Sequence, residues 1–219
     1  MLNVDDLLTG LAKERPVFHS EADFQHSLAW QLHLQYPTAQ IRLERVFDPL
    51  KVRLHIDIYC VIDNETYFFE LKYKTCAASF SGTGEEFNLQ NHSAYPPSRY
   101  DFVKDLSRLE AVVRNSDRLA YGFAILLTND KAYWCAPHRT GGVSAAFCIH
   151  EGQRISGEVG WGPIASLGTK KNREEAIKLA AEYLLRWRDY SNLDTRVQSH
   201  FRYLCVPVPP LRQEQNLAN

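Results

Sequence analysis

Three ionisable residues stand in segments that otherwise belong to an interior: Asp57 within HIDIYCVI, and Glu70 and Lys72 within YFFELKY. In the first segment Ile56, Ile58, Cys60 and Ile62 share one strand face, and His55, Asp57, Tyr59 and Val61 share the other. In the second, Phe69, Leu71 and Tyr73 oppose Phe68, Glu70, Lys72 and Lys74. Asp63-Asn64 between them is suited to a two-residue hairpin turn. With that turn Ile62 faces Glu65, and counting back puts Asp57 across from Glu70 and His55 across from Lys72. A symmetric four-residue loop keeps this register, whereas a bulge or an odd-length loop breaks it.

Directly opposed strand residues have Cβ atoms about 5 Å apart, where like charges repel. Two carboxylates held so close call for a proton or a cation between them. A hard divalent ion such as Mg²⁺, or Mn²⁺ in its place, takes carboxylate oxygens and keeps several waters. Lys72 emerges beside it, where it would orient or deprotonate an attacking water or stabilise a phosphorane-like transition state. The competing reading is a solvated sheet face with alternating charges. The apolar flanks count against it, because buried charges are kept when paired or metal-bound.

The elements that must hold these residues are legible in part. Ser20-Glu21-Ala22-Asp23 has the form of a helix-capping box, followed by Phe24, Leu28 and Leu32 at a spacing of four, and Tyr36-Pro37 ends that helix. IRLERVF, VRLHIDIYCVI and ETYFFELKYK then read as a β-meander. Residues 75–99 are polar, without clear periodicity, and read as a long functional or mobile loop. A helix is expected from Tyr100 to Asn115, with Phe102, Leu106, Leu109 and Val113 on one stripe, and a strand buried on both faces in LAYGFAILLTND. Beyond it, short strands are expected around AAFCIH and ISGEVGW. A third helix is expected over 172–188, with Ala176, Leu179, Ala180, Tyr183, Leu184 and Trp187 as its apolar face. FRYLCVPV reads as a last strand, with a frayed tail after Pro209. The order αβββαβ…αβ indicates an α/β fold with a mixed sheet flanked by helices. It reads as one domain over 1–219, with a core of about 20–130 and a C-terminal α/β elaboration over 131–219.

Asp57, the thirteen-residue spacing, and Glu70-Leu71-Lys72, with Glu21 on an upstream helix, resemble the PD-(D/E)XK nucleases of the restriction-endonuclease-like superfamily. The resemblance covers about residues 20–130. Ile56 stands where the motif's namesake proline would be. The resemblance implies that Asp57 and Glu70 bind the divalent ion, that the Leu71 carbonyl adds a ligand, and that Lys72 assists the water. It also implies that Glu21 completes the metal shell. An acid in a first helical turn is equally favoured by the helix dipole, and Glu44 on the neighbouring strand is the substitute candidate. The implied activity is Mg²⁺-dependent phosphodiester hydrolysis, a DNA endonuclease by preference with RNA left open, acting as a homodimer where both strands are cut. The rival reading is a nuclease-fold protein that binds or regulates without catalysis.

Outside this constellation, Gln90 and His92 in the long polar loop, Arg99 at its end, and Lys104 on the following helix are candidates for substrate contact. Asp105 and Arg108, one turn apart on that helix, read by preference as a surface or structural pair, the alternative being that this helix borders the cleft and Lys104 or Arg108 meets a phosphate.

The 219 residues carry 25 Lys and Arg against 26 Asp and Glu, a formal charge of −1, so binding to nucleic acid would rest on a local groove and not on a global basic field. The five cysteines form no CxxC or Cys/His cluster, which argues against a zinc site and for reduced thiols. No HExxH, Gly-rich phosphate loop or nucleophile elbow is present. No segment has the apolar length of a membrane span and the N-terminus lacks a signal-peptide layout, so no membrane association and a cytoplasmic location are expected.

Overall fold

The structure is a computed structural model that describes residues 2–47, 53–82, 84–137 and 141–210. Residues 48–52 and the stretch from 211 onward, where a frayed tail is expected, are among those outside the described residues. The first helix, α1 (Val4–Glu14), starts at Asn3, whose side chain accepts from the Asp5 and Asp6 amides. It buries Leu7, Leu8 and Leu11. α2 (Glu21–Gln35) begins at Ser20, whose hydroxyl accepts from the Asp23 amide as the capping pattern requires. Three strands follow, β1 (Gln40–Phe47), β2 (Leu54–Ile62) and β3 (Glu65–Lys74). Asp63 and Asn64 both have positive φ, the conformation of a tight two-residue hairpin turn.

Residues 75–99 are more ordered than their composition suggests. They contain a small hairpin of β4 (Ala78–Gly82) and β5 (Glu85–Leu89), and α3 begins at Tyr95 and not at Tyr100. Pro96 and Pro97 fall in the first turn of α3 (Tyr95–Arg114), where a missing amide hydrogen costs nothing. The buried strand β6 (Ala120–Thr128) and the short α4 (Lys131–Trp134) follow. AAFCIH is not a strand, because Ala145–Phe147 form a 3-10 turn. β7 (Arg154–Val159) is the strand expected in ISGEVGW, and α5 (Leu167–Lys170) is a single turn.

The helix expected over 172–188 is absent: the chain there forms β8 (Ile177–Leu184) and enters β9 (Trp187–Asn192). Ile177, Leu179, Tyr183, Leu185 and Trp187 are buried and alternate with exposed neighbours, so the period of two prevails over the helical spacing. Glu110 of α3 supports this strand from below. Its carboxylate accepts from the Ala180 and Ala181 amides and from the Tyr183 hydroxyl. β10 (His200–Val208) is the last strand.

The main sheet has six strands in the order β1-β2-β3-β6-β10-β9. β3 and β6 run parallel and the other neighbours antiparallel, so this is an α/β chain with a mixed sheet. The parallel pair is joined across α3, which requires a long crossover of this kind. One face of the sheet packs on α1, α2 and the β4–β5 hairpin, burying Leu8, Phe18, Phe24, Leu28, Ile58, Phe69, Leu71 and Phe201. The other packs on α3 and the β7–β8 hairpin, burying Phe68, Val103, Leu106, Leu126, Tyr183 and Leu204. Among the described residues no helix is long and apolar enough to cross a membrane.

Candidate active site

The β2–β3 ladder has the expected register, Ile62 facing Glu65 through to Ile58 facing Phe69. The pairing then stops one step short of Asp57 and Glu70, because the end of the β1–β2 hairpin bends out of the sheet. Ile58 packs with the α2 side of the core but Ile56 with the α3 side. Phe47 pairs with Leu54, yet its ring lies 5.6 Å from Tyr59 and 5.2 Å from Phe68, which requires the hairpin end to fold back over the α3 face. The bend falls at Glu44, opposite Asp57, whose φ of +52° is unfavourable for a residue with a side chain. Gln25 of α2 holds the bend. Its amide donates to Glu44 Oε1 at 2.7 Å and to the Asp57 carbonyl at 2.8 Å.

Where the ladder opens, side chains take over its bonds. Asp57 Oδ2 accepts from the Leu71 amide at 2.6 Å. Glu21 Oε2 accepts from the Tyr73 amide at 2.8 Å and faces Lys74 Nζ at 3.3 Å. Lys72 Nζ donates to the Leu71 carbonyl at 3.1 Å and pairs with Asp105 Oδ2 at 2.8 Å. Asp105 Oδ1 takes Arg108 Nη1 at 2.9 Å, while Arg108 Nη2 reaches the His55 carbonyl at 2.7 Å and lies 3.5 Å from Glu70 Oε1. Asp57, Glu70, Lys72, Asp105 and Arg108 therefore make one charged cluster between β2, β3 and α3, with Glu21 and Lys74 at its edge. His55 does not face Lys72. It is exposed on the bent hairpin end and takes part through its carbonyl alone.

The electrostatics follow from burial. Glu70 and Asp105 are only 3% and 4% exposed. Burial, with Asp105 and Asp57 adding repulsion, pushes the Glu70 carboxyl well above its ordinary range. Burial likewise raises Asp57 to about 6, against the lowering influence of Lys72 and of the Leu71 amide. Burial alone would lower Lys72, but the carboxylates of Asp105, Glu21 and Asp57 outweigh it and hold the ammonium above its usual range. The cluster is rich in carboxylates that need positive charge and contains a lysine that stays protonated.

A divalent ion fits these residues. Glu70 Oε1 is buried without a hydrogen bond, 3.5 Å from Arg108 Nη2, and the buried Asp105 Oδ2 has Lys72 Nζ at 2.8 Å. Where the strands part, the Asp57 carboxylate is on the Leu71 amide and the Leu71 carbonyl takes Lys72 Nζ. Among the described residues no group of three or more His, Cys, Asp or Glu side chains gathers as a metal cage. Any ion held by these few donors would have to be completed by water.

The substrate-contact candidates divide. Gln90 and His92 line a cavity of about 220 Å³ with Glu21, Lys74 and Ser20, at the edge of the cluster. His92 Nδ1 accepts from the Thr75 amide at 3.1 Å, which leaves Nε2 to carry the ring proton. Arg99 is committed elsewhere: it donates to the Ala132 carbonyl and lies over the rings of Tyr95 and Tyr133. Lys104 is exposed, with its ammonium over Tyr100. Neither reaches the cluster through any of these contacts, because Arg99 is tied to α4 and Lys104 faces away from the buried stripe of α3.

Sequence reasoning placed Asp105 and Arg108 on the surface, and the structure corrects this. They do pair, but as the α3 wall of the cluster. Asp105 falls on the apolar stripe of α3, three residues from Phe102 and four from Leu109, and an acid in that stripe was the available signal. Gln25 falls likewise on the buried face of α2, three residues before Leu28. Comparison with protein-family models, with curated proteins and with solved structures finds no match to this chain.

Proposed function

We propose that this protein is a metal-dependent phosphodiester hydrolase of the restriction-endonuclease-like type, acting on nucleic acid and by preference as a DNA endonuclease. The observation that carries this reading is the opening of the β2–β3 ladder at Asp57. It leaves the Asp57 carboxylate on the Leu71 amide and Lys72 Nζ on the Leu71 carbonyl, with the buried Glu70 carboxyl near enough to feel Asp57 and Lys72. Asp57, Glu70 and the Leu71 carbonyl would hold Mg²⁺ or Mn²⁺, while Glu21, held on the Tyr73 amide and Lys74, acts on Lys72 through its charge. Bound there, the ion would supply a Lewis acid that activates water and neutralises charge on the phosphate.

The chain's own residues do the rest. Asp57 fixes the Leu71 amide and so sets the carbonyl on the other side of that residue. Lys72, kept as an ammonium by Asp105, donates to a phosphate oxygen or orients the water, a role that favours charge stabilisation over proton abstraction. Arg108 neutralises Glu70 and ties the bent hairpin to α3. Lys74 and the Nε2–H of His92 offer donors to a neighbouring phosphate.

The second reading, a nuclease-fold binding or regulatory protein without catalysis, draws on one observation. Lys72–Asp105 and Arg108–Glu70 already balance much of the charge without an ion. The two readings separate in a substrate panel of supercoiled plasmid, single-stranded circle and RNA, incubated with Mg²⁺, Mn²⁺ or EDTA. Cleavage of any of the three that requires the metal supports hydrolysis. Binding to the same substrates with no cleavage under any metal would replace it with the second reading.

A further inference from the structure

Folding the hairpin end back over the sheet creates a second feature on the same face as the cluster. A cavity of about 400 Å³ is lined by Arg45, Phe47, Tyr59 and Phe68 from the strands, and by Asn115, Ser116, Asp117 and Arg118 beyond α3. Its floor is aromatic. Tyr59 faces Phe68 across the β2–β3 ladder, and Phe47 leans against both. The Arg45 guanidinium is layered over Phe47 at 4.7 Å and Tyr59 at 4.1 Å. Arg118 is exposed at the rim, beside the amide, hydroxyl and carboxylate of Asn115, Ser116 and Asp117.

The cavity is placed by the same residues that place the cluster. Tyr59 follows Asp57 by two positions on β2, and Phe68 precedes Glu70 by two on β3. Two strand residues span about 7 Å, a distance covered by one extended nucleotide or two stacked ones. α3 contributes to both, with Asp105 and Arg108 in the cluster and Val112 lining the cavity.

A planar ring stacks on aromatic faces and on guanidinium planes alike. Two arginines at the rim suit the phosphate that accompanies such a ring, and the mixed donors and acceptors suit a base edge. We infer that this cavity is a nucleobase pocket that takes one unpaired base of the substrate, next to the position cut. The inference rests on the reading of the cluster as a nucleic-acid hydrolase and makes its substrate a strand with at least one unstacked base: single-stranded, flapped or looped, or duplex with a base flipped out. Taking a base from a duplex costs unstacking that an already unpaired strand does not pay.

The test uses the whole chain and oligonucleotides in which a single position is abasic, moved one step at a time, with binding measured in Ca²⁺ or EDTA so that no cutting is required. In the wild type one abasic position should weaken binding about tenfold relative to its neighbours, within the range for loss of one base–aromatic stack. Tyr59→Leu keeps an apolar side chain of similar bulk and removes the ring. It should bind the intact strand about tenfold more weakly and lose the dependence on that abasic position. Arg45→Ala, an exposed site that the fold tolerates, should show the same loss. If Tyr59→Leu and Arg45→Ala bind as the wild type does, if every abasic position is equivalent, or if no oligonucleotide binds at all, the pocket is not a base site. Metal-dependent cleavage indifferent to all of these would overturn the pocket and leave the hydrolase reading standing. Base-dependent binding with no cleavage in Mg²⁺ or Mn²⁺ would keep the pocket and overturn the hydrolase.

Discussion

Asp57 is an acid whose folded environment prefers it neutral, with its carboxyl raised to about 6 first by burial. The folded protein therefore holds this proton more tightly than the unfolded chain does. Stability is lost as pH climbs from about 4 through about 6, and it stays lost above that. In metal-free buffer Asp57→Asn should melt higher than the wild type at pH 8, by an amount on the order of 2 kcal/mol, and equally at pH 4 where both side chains are neutral. Mg²⁺ should raise the wild-type melting temperature above pH 6 and leave Asp57→Asn unmoved. A melting difference that persists at pH 4, or a variant that responds fully to Mg²⁺, would contradict the assignment. Asp105 is buried between Lys72 and Arg108, so Asp105→Asn leaves two cations short of their partner and should destabilise the protein by about 3 kcal/mol in chemical denaturation. An unchanged midpoint would mean that the pairings are dispensable.

The elements around the site were legible in proportion to how local their signals are. The hairpin of β2 and β3, with its register up to Ile58 and Phe69, followed from alternation and from Asp63-Asn64 alone. The bend that ends that register depends on Gln25, nineteen residues before Glu44 in sequence, and no local pattern announces it. It is also why neither Asp57 and Glu70 nor His55 and Lys72 pair across the ladder as the turn-based count expects. The strand β8 was misread because Ala, Leu and Glu favour helix while the burial alternates, and because the support from Glu110 comes from seventy residues away. Two predictions belong here. Gln25→Leu should loosen the bend, lowering cleavage at least tenfold while the melting temperature falls by only a few degrees, as read by kinetics and calorimetry together. Glu110→Gln should release amides of β8, seen as faster hydrogen exchange over 177–184 with β2 and β3 unaffected. Exchange that rises uniformly across the chain would place Glu110 in global stability instead.

At the scale of the whole molecule, a formal charge of −1 gives no long-range attraction to a polyanion, so affinity must come from a few local cations. Lys74, Arg45 and Arg118 are cations lining the two cavities, and contact through all three implies a log–log salt dependence of magnitude about 2 on a single strand and just under about 3 on a duplex. One chain carries one cluster. A plasmid cut by single chains passes through nicked circle first, whereas direct appearance of linear product would signal two copies acting together. The central claim is that the Asp57, Glu70 and Lys72 cluster hydrolyses phosphodiester bonds with a metal. The measurement that tests it most directly is plasmid and single-strand cleavage in Mg²⁺ or Mn²⁺ by the wild type, Asp57→Ala and Lys72→Ala, with Mn²⁺ binding followed in parallel by calorimetry. Metal-dependent cleavage by the wild type is expected, with loss of Mn²⁺ binding and of cleavage in Asp57→Ala, and cleavage reduced at least about 100-fold in Lys72→Ala with Mn²⁺ still bound. Cleavage that survives in both variants, or a wild type that neither cuts nor binds Mn²⁺, would contradict it.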